Sequence, residues 1–532
     1  MRITDDYREQ ARVFAEARVT IPERAAGCTA NWAHFGGGNL FRGFHMEIQQ
    51  ELLDAGETDS GILLLETFDR ELIDQLYVPC KNRALKVELS ESGTGSVRLL
   101  DSLAQALFVS AEENFEQAQT FFVLPELQMV TFSITEKGYQ LKDMRGSWYP
   151  FIETEINGGP KQVHSAIGVL AALLYERFAA GAYPIALVST DNFSHNGDKL
   201  KDSVLTMADS WVQNGLLPAA FLEYLSDESL VSFPWSMIDR ITPNPAESVR
   251  ENLEKAGWEG MEILHTEKRS AAAAFANTEQ THYLVIEDKF PAGRPPLEKA
   301  GVILTDRKTV DKVERMKVCT CLNPLHTALA VFGCLLGFSS ISAEMGDADL
   351  TALARQIGYA EGLPVVVDPG ILKPADFLRE VVEKRLPNPH IPDTPQRIAA
   401  DTSQKMAIRF GNTIRAYGRE ENLSVQDLHF IPLTIAAWLR YLLGVDDAGN
   451  AMPLSPDPML PVLQEQLAGV SLGSRQTVDL TGLLTNEAVF GLDLVQAGLA
   501  DRITQAFDRM RSAPGAVRAL LHETVGQFAD RI

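Results

Sequence analysis

Two patterns of apolar and polar residues alternate along the first half of the chain. Short apolar runs, of the kind found in buried parallel strands, occur at 61–66, 129–135 and 183–189. Apolar residues at helical spacing fill the intervals, as at 163–179. This alternation of strands and helices predicts an α/β domain with a mostly parallel sheet.

The pattern changes at about position 309, after which helical spacing dominates and strand signals are scarce. Helical patterns occupy 312–336, 350–360, 374–384, 395–418, 424–443, 458–466 and 492–511. We therefore predict a mainly α-helical second domain. The turn-rich stretch 290–296 marks the boundary, which gives domains 1–296 and 297–532.

Composition narrows the choice of partners. The 532 residues carry a net charge of −23, which would repel nucleic acid and anionic membranes, so neither is an expected partner. The N-terminal residues lack the apolar stretch of a secretory signal, and the apolar run 327–343 suits a buried helix. We expect a cytoplasmic monomer or small homo-oligomer whose sparse cysteines are reduced, namely Cys28, Cys80, Cys319, Cys321 and Cys334.

A glycine-rich segment at 34–45 is a candidate phosphate-binding loop. Glycines let the backbone approach a pyrophosphate, and a helix that begins there offers free N–H groups. Counted from Gly36, the third position of the usual G-x-G-x-x-G pattern is Phe41, and Gly43 is a partial substitute. The alternative is an ordinary glycine-rich turn. The candidate cofactor-binding residues here are Gly36, Gly38, Asn39 and Leu40.

Two acids follow the apolar run at 62–65, where a nucleotide-binding fold holds the adenosine ribose. Glu66 and Asp69 lie 30 and 33 residues after Gly36, a longer spacing than the usual one of about 20. An acid at this point favours NAD because it repels a 2′-phosphate. Arg70 beside them keeps NADP open, and solvated acids at a strand end are the alternative.

The segment 314–326 carries the strongest candidate chemistry, because polar groups begin a mostly apolar helix. Lys317 is a candidate acid/base, since burial can make a lysine titrate near neutrality. Asn323 could donate a hydrogen bond to an oxygen that gains negative charge. Taken alone, Lys317 could reach solvent along an apolar face, Asn323 could cap a helix, and His326 could be a core histidine.

Several motifs together resemble the mannitol dehydrogenase family of long-chain polyol dehydrogenases. These motifs are 34–45, 131–139, Asp-Asn-Phe-Ser-His-Asn-Gly at 191–197, Phe-Pro with Asp-Arg-Ile-Thr-Pro at 233–243, 397–405 and 438–441. The resemblance covers nearly the whole chain. It implies an N-terminal Rossmann-like NAD(P)-binding domain, a helical C-terminal domain and an active site between them.

The resemblance also implies roles for individual residues. Lys317 would be the general acid/base, and Glu314 would exchange the proton of the lysine with solvent. Asn192 and Asn323 would donate hydrogen bonds to the reacting oxygen. His326 would orient the substrate. Arg397, Lys405 and Asp239 would bind substrate, and Thr135 and Glu136 would join the cofactor-binding residues. The family needs no metal, which agrees with the isolated Cys-x-Cys at 319–321.

One spacing departs from the family pattern. The family places asparagine 5 residues after the lysine, whereas Asn323 follows Lys317 by 6. An extra residue rotates a regular helix by about 100°, which would move Lys317 off the face it shares with Asn323. We therefore predict a π-bulge or irregular turn between them.

The favoured substrate is a keto sugar acid and its alcohol, of the fructuronate/mannonate type. Segments 285–302 and 440–450 resemble the sugar-acid branch of the family, and a cationic pocket with Arg397 and Lys405 would suit a carboxylate. A polyol 2-dehydrogenase of the mannitol or arabinitol type is the alternative. Two further alternatives are not enzymes: a nucleotide-binding regulatory protein without turnover, and a structural helical module.

Overall fold

The computed structural model of the chain describes residues 1–16, 19–20, 22–23, 31–90, 93–143, 145–391, 393–474 and 478–531. They divide into two units, Met1–Asp311 and Lys312–Ile532. The sequence-based boundary at 296/297 remains a prediction. Four cysteines are free thiols, and Cys28 lies outside the described residues.

Unit 1 is built on strands and intervening helices. Its strands are β1 Trp32–Phe35, β2 Ile62–Glu66, β3 Ala84–Ser90, β4 Gly93–Leu100, β5 Leu103–Phe108, β6 Met129–Phe132, β7 Ile185–Ser189, β8 Val231–Ser232, β9 Ser236–Asp239, β10 Leu264–His265, β11 Ala271–Ala272, β12 Phe275–Glu279, β13 Tyr283–Glu287 and β14 Ile303–Thr305. Its helices are α1 Ala11–Glu16, α2 Met46–Asp54, α3 Arg70–Leu72, α4 Phe115–Phe122, α5 Thr135–Gly138, α6 Pro150–Gly158, α7 Ala166–Gly181, α8 Asn196–Gln213, α9 Ala219–Ser226, α10 Glu247–Lys255 and α11 Arg307–Met316, the last of which ends in unit 2.

The main sheet confirms the predicted α/β fold. Six strands pair in parallel in the order β5-β2-β1-β6-β7-β8. This is the order of a doubly wound Rossmann sheet, in which the chain reverses its direction of winding between β1 and β6. Ligands of such sheets bind outside the carboxyl ends of the strands at this reversal.

Burial on both faces explains why the strands are continuous apolar runs. In β2, Ile62 and Leu64 belong to one hydrophobic cluster, and Leu63 and Leu65 belong to the cluster on the other face. A strand covered on both faces has no polar alternation. The predicted runs at 61–66, 129–135 and 183–189 correspond to β2, β6 and β7.

Three small sheets, β12-β3-β4, β14-β13-β9 and β10-β11, were not predicted from the sequence. Charged residues interrupt the apolar pattern of β3, and its Lys86 is buried because it pairs with Glu47 of α2. A pattern of apolar residues cannot anticipate such a pair, since the partner comes from another element.

Unit 2 confirms the predicted helical domain, and its described residues form no sheet. Its helices are α12 Asn323–Leu336, α13 Ile341–Glu344, α14 Ala348–Arg355, α15 Pro374–Glu380, α16 Pro395–Ile398, α17 Asn412–Tyr417, α18 Phe430–Tyr441, α19 Leu460–Gln466, α20 Thr481–Leu484, α21 Glu487–Phe490, α22 Ala500–Met510 and α23 Ala516–Gln527. Turns of π-helix interrupt several of them, including Lys317–Cys321 and Ala407–Gly411.

Two helical stretches, Pro150–Gly181 and Arg307–Leu336, have the length and apolar composition of membrane spans. Their most apolar windows are 56% and 78% buried inside the fold. Core helices of globular proteins pass the same test, so these stretches are weak indications of a membrane span.

Candidate active site

The glycine loop after β1 lies at the point where the main sheet reverses. Gly36 has φ +104°, and a Cβ there would lie 2.3 Å from the carbonyl oxygen of Ser133, which follows β6. Gly36 therefore has to be glycine for the two strand ends to come this close. Gly38 is exposed, and a Cβ on it would meet no atom within 4 Å. The loop thus has an open side that fits the close approach of a pyrophosphate.

The residues after the loop pack differently from the usual dinucleotide pattern. Phe41 is buried, and its ring stacks on His34 of β1 with centroids 4.5 Å apart. The expectation that Gly43 substitutes for the third glycine against the strand is wrong. A Cβ at Gly43 would lie 2.7 Å from Thr278 of β12, so Gly43 permits close contact with a small sheet instead.

Asn39 and Leu40 begin the helical segment that follows the loop, and both are partly buried. The Asn39 amide donates to Asn244 and to the carbonyl of Ala271, and its oxygen accepts from Arg42. The side chain of Asn39 therefore already has protein partners, and its backbone N–H is the group best suited to a phosphate.

Glu66, one of the two candidate ribose-binding acids, uses both carboxylate oxygens on the backbone. Oε2 accepts the N–H of Gly37 at 2.6 Å, and Oε1 accepts the N–H groups of Thr67, Phe68 and Asp69 at 3.0, 2.8 and 3.1 Å. Burial raises the pKa of this carboxyl above its ordinary value. Glu66 therefore holds the glycine loop against the end of β2.

Asp69, the other candidate, retains an unused acceptor. Its Oδ2 accepts from the hydroxyls of Thr266 and Ser270 at 2.7 and 2.6 Å. Its Oδ1 is buried and has no hydrogen-bond partner among the described residues. A buried carboxylate oxygen without a donor is costly, and a ribose hydroxyl would supply that donor. Asp69 therefore keeps one acceptor without a partner among the described residues, whereas Glu66 keeps none.

The segment after β6 is fixed by a carboxylate that the sequence argument missed. Asp191 Oδ2 accepts the N–H of Ile134 at 2.9 Å and the hydroxyl of Tyr139 at 2.7 Å, while Oδ1 accepts the N–H of Thr135 at 3.0 Å. Burial raises the pKa of Asp191. Asp191 could have been recognised in the sequence by its place directly before the candidate catalytic residue Asn192, which is exposed after β7.

Thr135 and Glu136 are exposed at the start of α5, and Thr135 has φ +62°. A positive φ is strained for a β-branched residue and is held here by the bond to Asp191. Both residues therefore lie at the carboxyl end of β6, beside the strand that leads into the glycine loop.

The Asn-Gly pair at 196–197 joins two of the sequence motifs. The Asn196 amide donates to the carbonyls of Asp191 and Ser236 and accepts the N–H of Ser236. A Cβ at Gly197 would lie 2.7 Å from the carbonyl oxygen of Phe233. These contacts anchor β9, which ends at the buried candidate substrate ligand Asp239.

The predicted irregular turn after Lys317 is confirmed. Residues Lys317–Cys321 form a π-helical turn, in which the N–H of Leu322 donates to the Lys317 carbonyl at 3.1 Å. Pro324 lacks the N–H that would continue regular pairing, which favours the wider turn. The turn absorbs the extra residue, and Lys317 is buried with a relative exposure of 3%.

Asn323 and His326 begin α12, and both are partly buried. His326 Nε2 lies 3.8 Å from Asp393, whose other oxygen pairs with Arg397. The sequence motifs did not single out Asp393, which lies four residues before Arg397. It supplies a negative charge that fits an orienting role for His326. Glu314, partly buried in α11, lies three residues before Lys317.

A group of cations adjoins these residues in unit 2. The Lys405 ammonium donates to the carbonyls of Ile398 and Ala400. Burial lowers the pKa of Lys405 to about 8, and the positive charges of Arg409 and Arg397 act in the same direction. The carboxylates of Asp401 and Asp457 oppose this shift.

The structure thus groups the candidates by unit. Unit 1 holds Gly36, Gly38, Asn39, Leu40, Glu66, Asp69, Thr135, Glu136, Asn192 and Asp239, and unit 2 holds Glu314, Lys317, Asn323, His326, Arg397 and Lys405. No cluster of three or more metal-ligating side chains occurs among the described residues.

Known proteins resemble the chain over most of its length. Residues 30–299 match the family described as "Mannitol dehydrogenase Rossmann domain", and residues 309–511 match "Mannitol dehydrogenase C-terminal domain". The chain is 49% identical over 501 residues to D-mannonate oxidoreductase of Thermotoga maritima, a match that covers 93% of this chain and 92% of the relative. The Escherichia coli protein of the same name is 28% identical over 499 residues, with coverage of 92% and 95%.

A solved structure agrees with this assignment. Pseudomonas fluorescens mannitol 2-dehydrogenase, in a ternary complex with NAD and D-mannitol, matches with a TM-score of 0.70 and 26% identity over 100% of both chains. The two family matches cover the two units in the order that the sequence predicted. The chain therefore belongs to the mannitol dehydrogenase family, and it is an oxidoreductase of secondary alcohols.

Proposed function

We propose that this enzyme interconverts a keto sugar acid and its secondary alcohol, of the fructuronate/mannonate type, with NAD or NADP as the redox partner. The observation that carries the proposal is the 49% identity to D-mannonate oxidoreductase over 93% of the chain. The group of cations at Arg397, Lys405 and Arg409 supports a substrate with a carboxylate.

The cofactor would be held by the residues after β1, β2 and β6. Gly36 and Gly38 would let the backbone approach the pyrophosphate, and the N–H groups of Asn39 and Leu40 would bind it. Asp69 would accept a ribose hydroxyl through its unused oxygen, and Thr135 and Glu136 would adjoin the nicotinamide half. Glu66 would shape the loop without contacting the nucleotide. The negative charge of Asp69 favours NAD over NADP.

When bound, the nicotinamide cofactor supplies the hydride that reduces the substrate carbonyl. Lys317 donates a proton to the carbonyl oxygen as the alcohol forms, and Asn192 and Asn323 donate hydrogen bonds that stabilise its negative charge. Glu314 then helps Lys317 regain a proton from solvent, and His326 orients a substrate hydroxyl. In the oxidation of the alcohol, Lys317 accepts the proton instead.

Arg397, Lys405 and Asp239 would bind the rest of the substrate. Arg397 and Lys405 suit the carboxylate or a hydroxyl, whereas Asp239 suits hydroxyl donors only. The net charge of −23 disfavours nucleic acid and anionic membranes as partners. We therefore propose a cytoplasmic monomer or small homo-oligomer whose partners are small molecules.

A spectrophotometric screen tests the proposal. NADH and NADPH oxidation is followed with fructuronate, tagaturonate, fructose and xylulose. We expect kcat/KM for fructuronate to exceed that for fructose by at least about 30-fold, the contribution of a charge-assisted contact. A preference for fructose would instead establish a polyol 2-dehydrogenase, the second candidate, which the similarity to P. fluorescens mannitol 2-dehydrogenase supports.

A further inference from the structure

Arg409 is a partly buried cation that pairs with no carboxylate among the described residues. It lies in the π-helical turn Ala407–Gly411, and its Nη1 donates to the hydroxyl of Thr327 at 2.5 Å. Among the described residues no charged neighbour contributes to the pKa of Arg409, which reflects burial alone. Burial lowers the pKa of Arg409 to about 10. Partial removal of a guanidinium from water without a negative partner has a free-energy cost, which a bound anion would offset.

Other arginines show how the fold normally satisfies this group. Arg177, fully buried in unit 1, donates to five backbone carbonyl oxygens. Arg397 of unit 2 pairs with Asp393. Within the described part of the chain, Arg409 donates to one neutral hydroxyl, that of Thr327, so most of its N–H groups remain available.

Its position relates it to the candidate catalytic residues. Thr327 follows Asn323 by four residues on α12, so it lies about 6 Å further along the helix and on the same face. The π-helical turn of Arg409 contacts the π-helical turn that begins with Lys317. The Asn412 amide, just after the first turn, also donates to Cys319 in the second at 3.3 Å. Arg409 is therefore fixed to the same segment as Lys317 and Asn323.

We infer that Arg409 binds the substrate carboxylate together with Lys405 and sets the preference for a sugar acid over a neutral sugar. The inference rests on the proposed function. Fructuronate is a 5-keto hexonate, in which three carbons separate the carboxylate carbon from the reacting carbonyl carbon. These two carbons are therefore about 5 Å apart when the chain is extended. This length matches the helix rise of about 6 Å between Asn323 and Thr327. A guanidinium can bind such a carboxylate through two hydrogen bonds.

The test compares Arg409→Gln and Arg409→Lys with the whole wild-type enzyme. For Arg409→Gln we expect KM for fructuronate to rise about 30- to 100-fold while kcat and the Kd of NADH change less than about threefold. Arg409→Lys, which keeps the charge, should recover part of the loss. Activity on fructose at high concentration should change less than about threefold in both variants, because fructose has no carboxylate.

Arg415→Gln is the matched control. Arg415 lies in the neighbouring helix α17 and donates to the Gly491 carbonyl and to Asn412, so its loss should lower the Tm without changing the KM for fructuronate. An Arg409→Gln enzyme whose KM for fructuronate stays within threefold of wild type, or whose kcat falls equally on fructuronate and fructose, would overturn the inference. A wild-type enzyme inactive on both fructuronate and mannonate would refute the proposed function itself, and with it the role of Arg409 in binding the substrate carboxylate.

Discussion

Asp69→Asn should change nucleotide selectivity, and Glu66→Gln should not. The asparagine oxygen can still accept from Thr266 and Ser270, which preserves the local fold. Its NH2 group, however, replaces Oδ1, the buried oxygen without a partner. A hydrogen bond to a charged group contributes about 1.5–3 kcal/mol, so the Kd of NADH should rise about 10- to 150-fold. NADPH should bind better, since the charge that repels its 2′-phosphate is gone.

Glu66→Gln serves as the control because the four backbone N–H bonds of Glu66 stabilise the fold around the loop. It should lower the Tm and leave the ratio of the NADH and NADPH dissociation constants within about twofold of wild type. Titration of nicotinamide fluorescence measures both constants in each variant. If Glu66→Gln altered the ratio and Asp69→Asn left it unchanged, the assignment of the ribose site would be refuted.

Two further predictions concern the glycine loop and the cations. Gly36→Ala should destabilise the fold by more than about 2 kcal/mol in thermal unfolding, because its Cβ would meet the Ser133 carbonyl and its φ is +104°. Gly38→Ala should lower the free energy of unfolding by less than about 0.5 kcal/mol and yet weaken NADH binding. Equal losses of stability in the two variants would contradict this prediction. KM for fructuronate should rise about tenfold from pH 7 to pH 9, because the Lys405 ammonium, with its pKa lowered to about 8, is charged below that pH and neutral above it. Lys405→Arg should abolish this rise, and a rise that persists in the variant would assign it to another group.

Local patterns were sufficient to predict much of the fold. The apolar runs of β2, β6 and β7 reflect burial on both faces, which is a property of each segment alone. The π-helical turn after Lys317 could also be predicted, because one extra residue in a helix has few ways to be accommodated. The first inference needed only neighbouring residues, and the second also needed the lysine–asparagine spacing of the family that the chain resembles.

Properties that depend on distant residues could not be predicted in this way. Asp69 and Glu66 look alike in the sequence, and they are distinguished by which oxygen remains without a donor once Thr266 and Ser270 have bound Asp69. The importance of Arg409 lies in the lack of an acidic partner among the described residues, which no local pattern reveals. The contact of Gly43 with Thr278 likewise joins elements far apart in the chain.

The proposed role of Lys317 as the acid/base is tested by the kcat of Lys317→Ala on fructuronate. General acid–base catalysis contributes about 10²- to 10⁴-fold, so kcat should fall by at least about 100-fold while the Kd of NADH remains within about threefold of wild type. A variant that keeps kcat within about tenfold of wild type, a barrier change of roughly 1.4 kcal/mol, would contradict the assignment of Lys317.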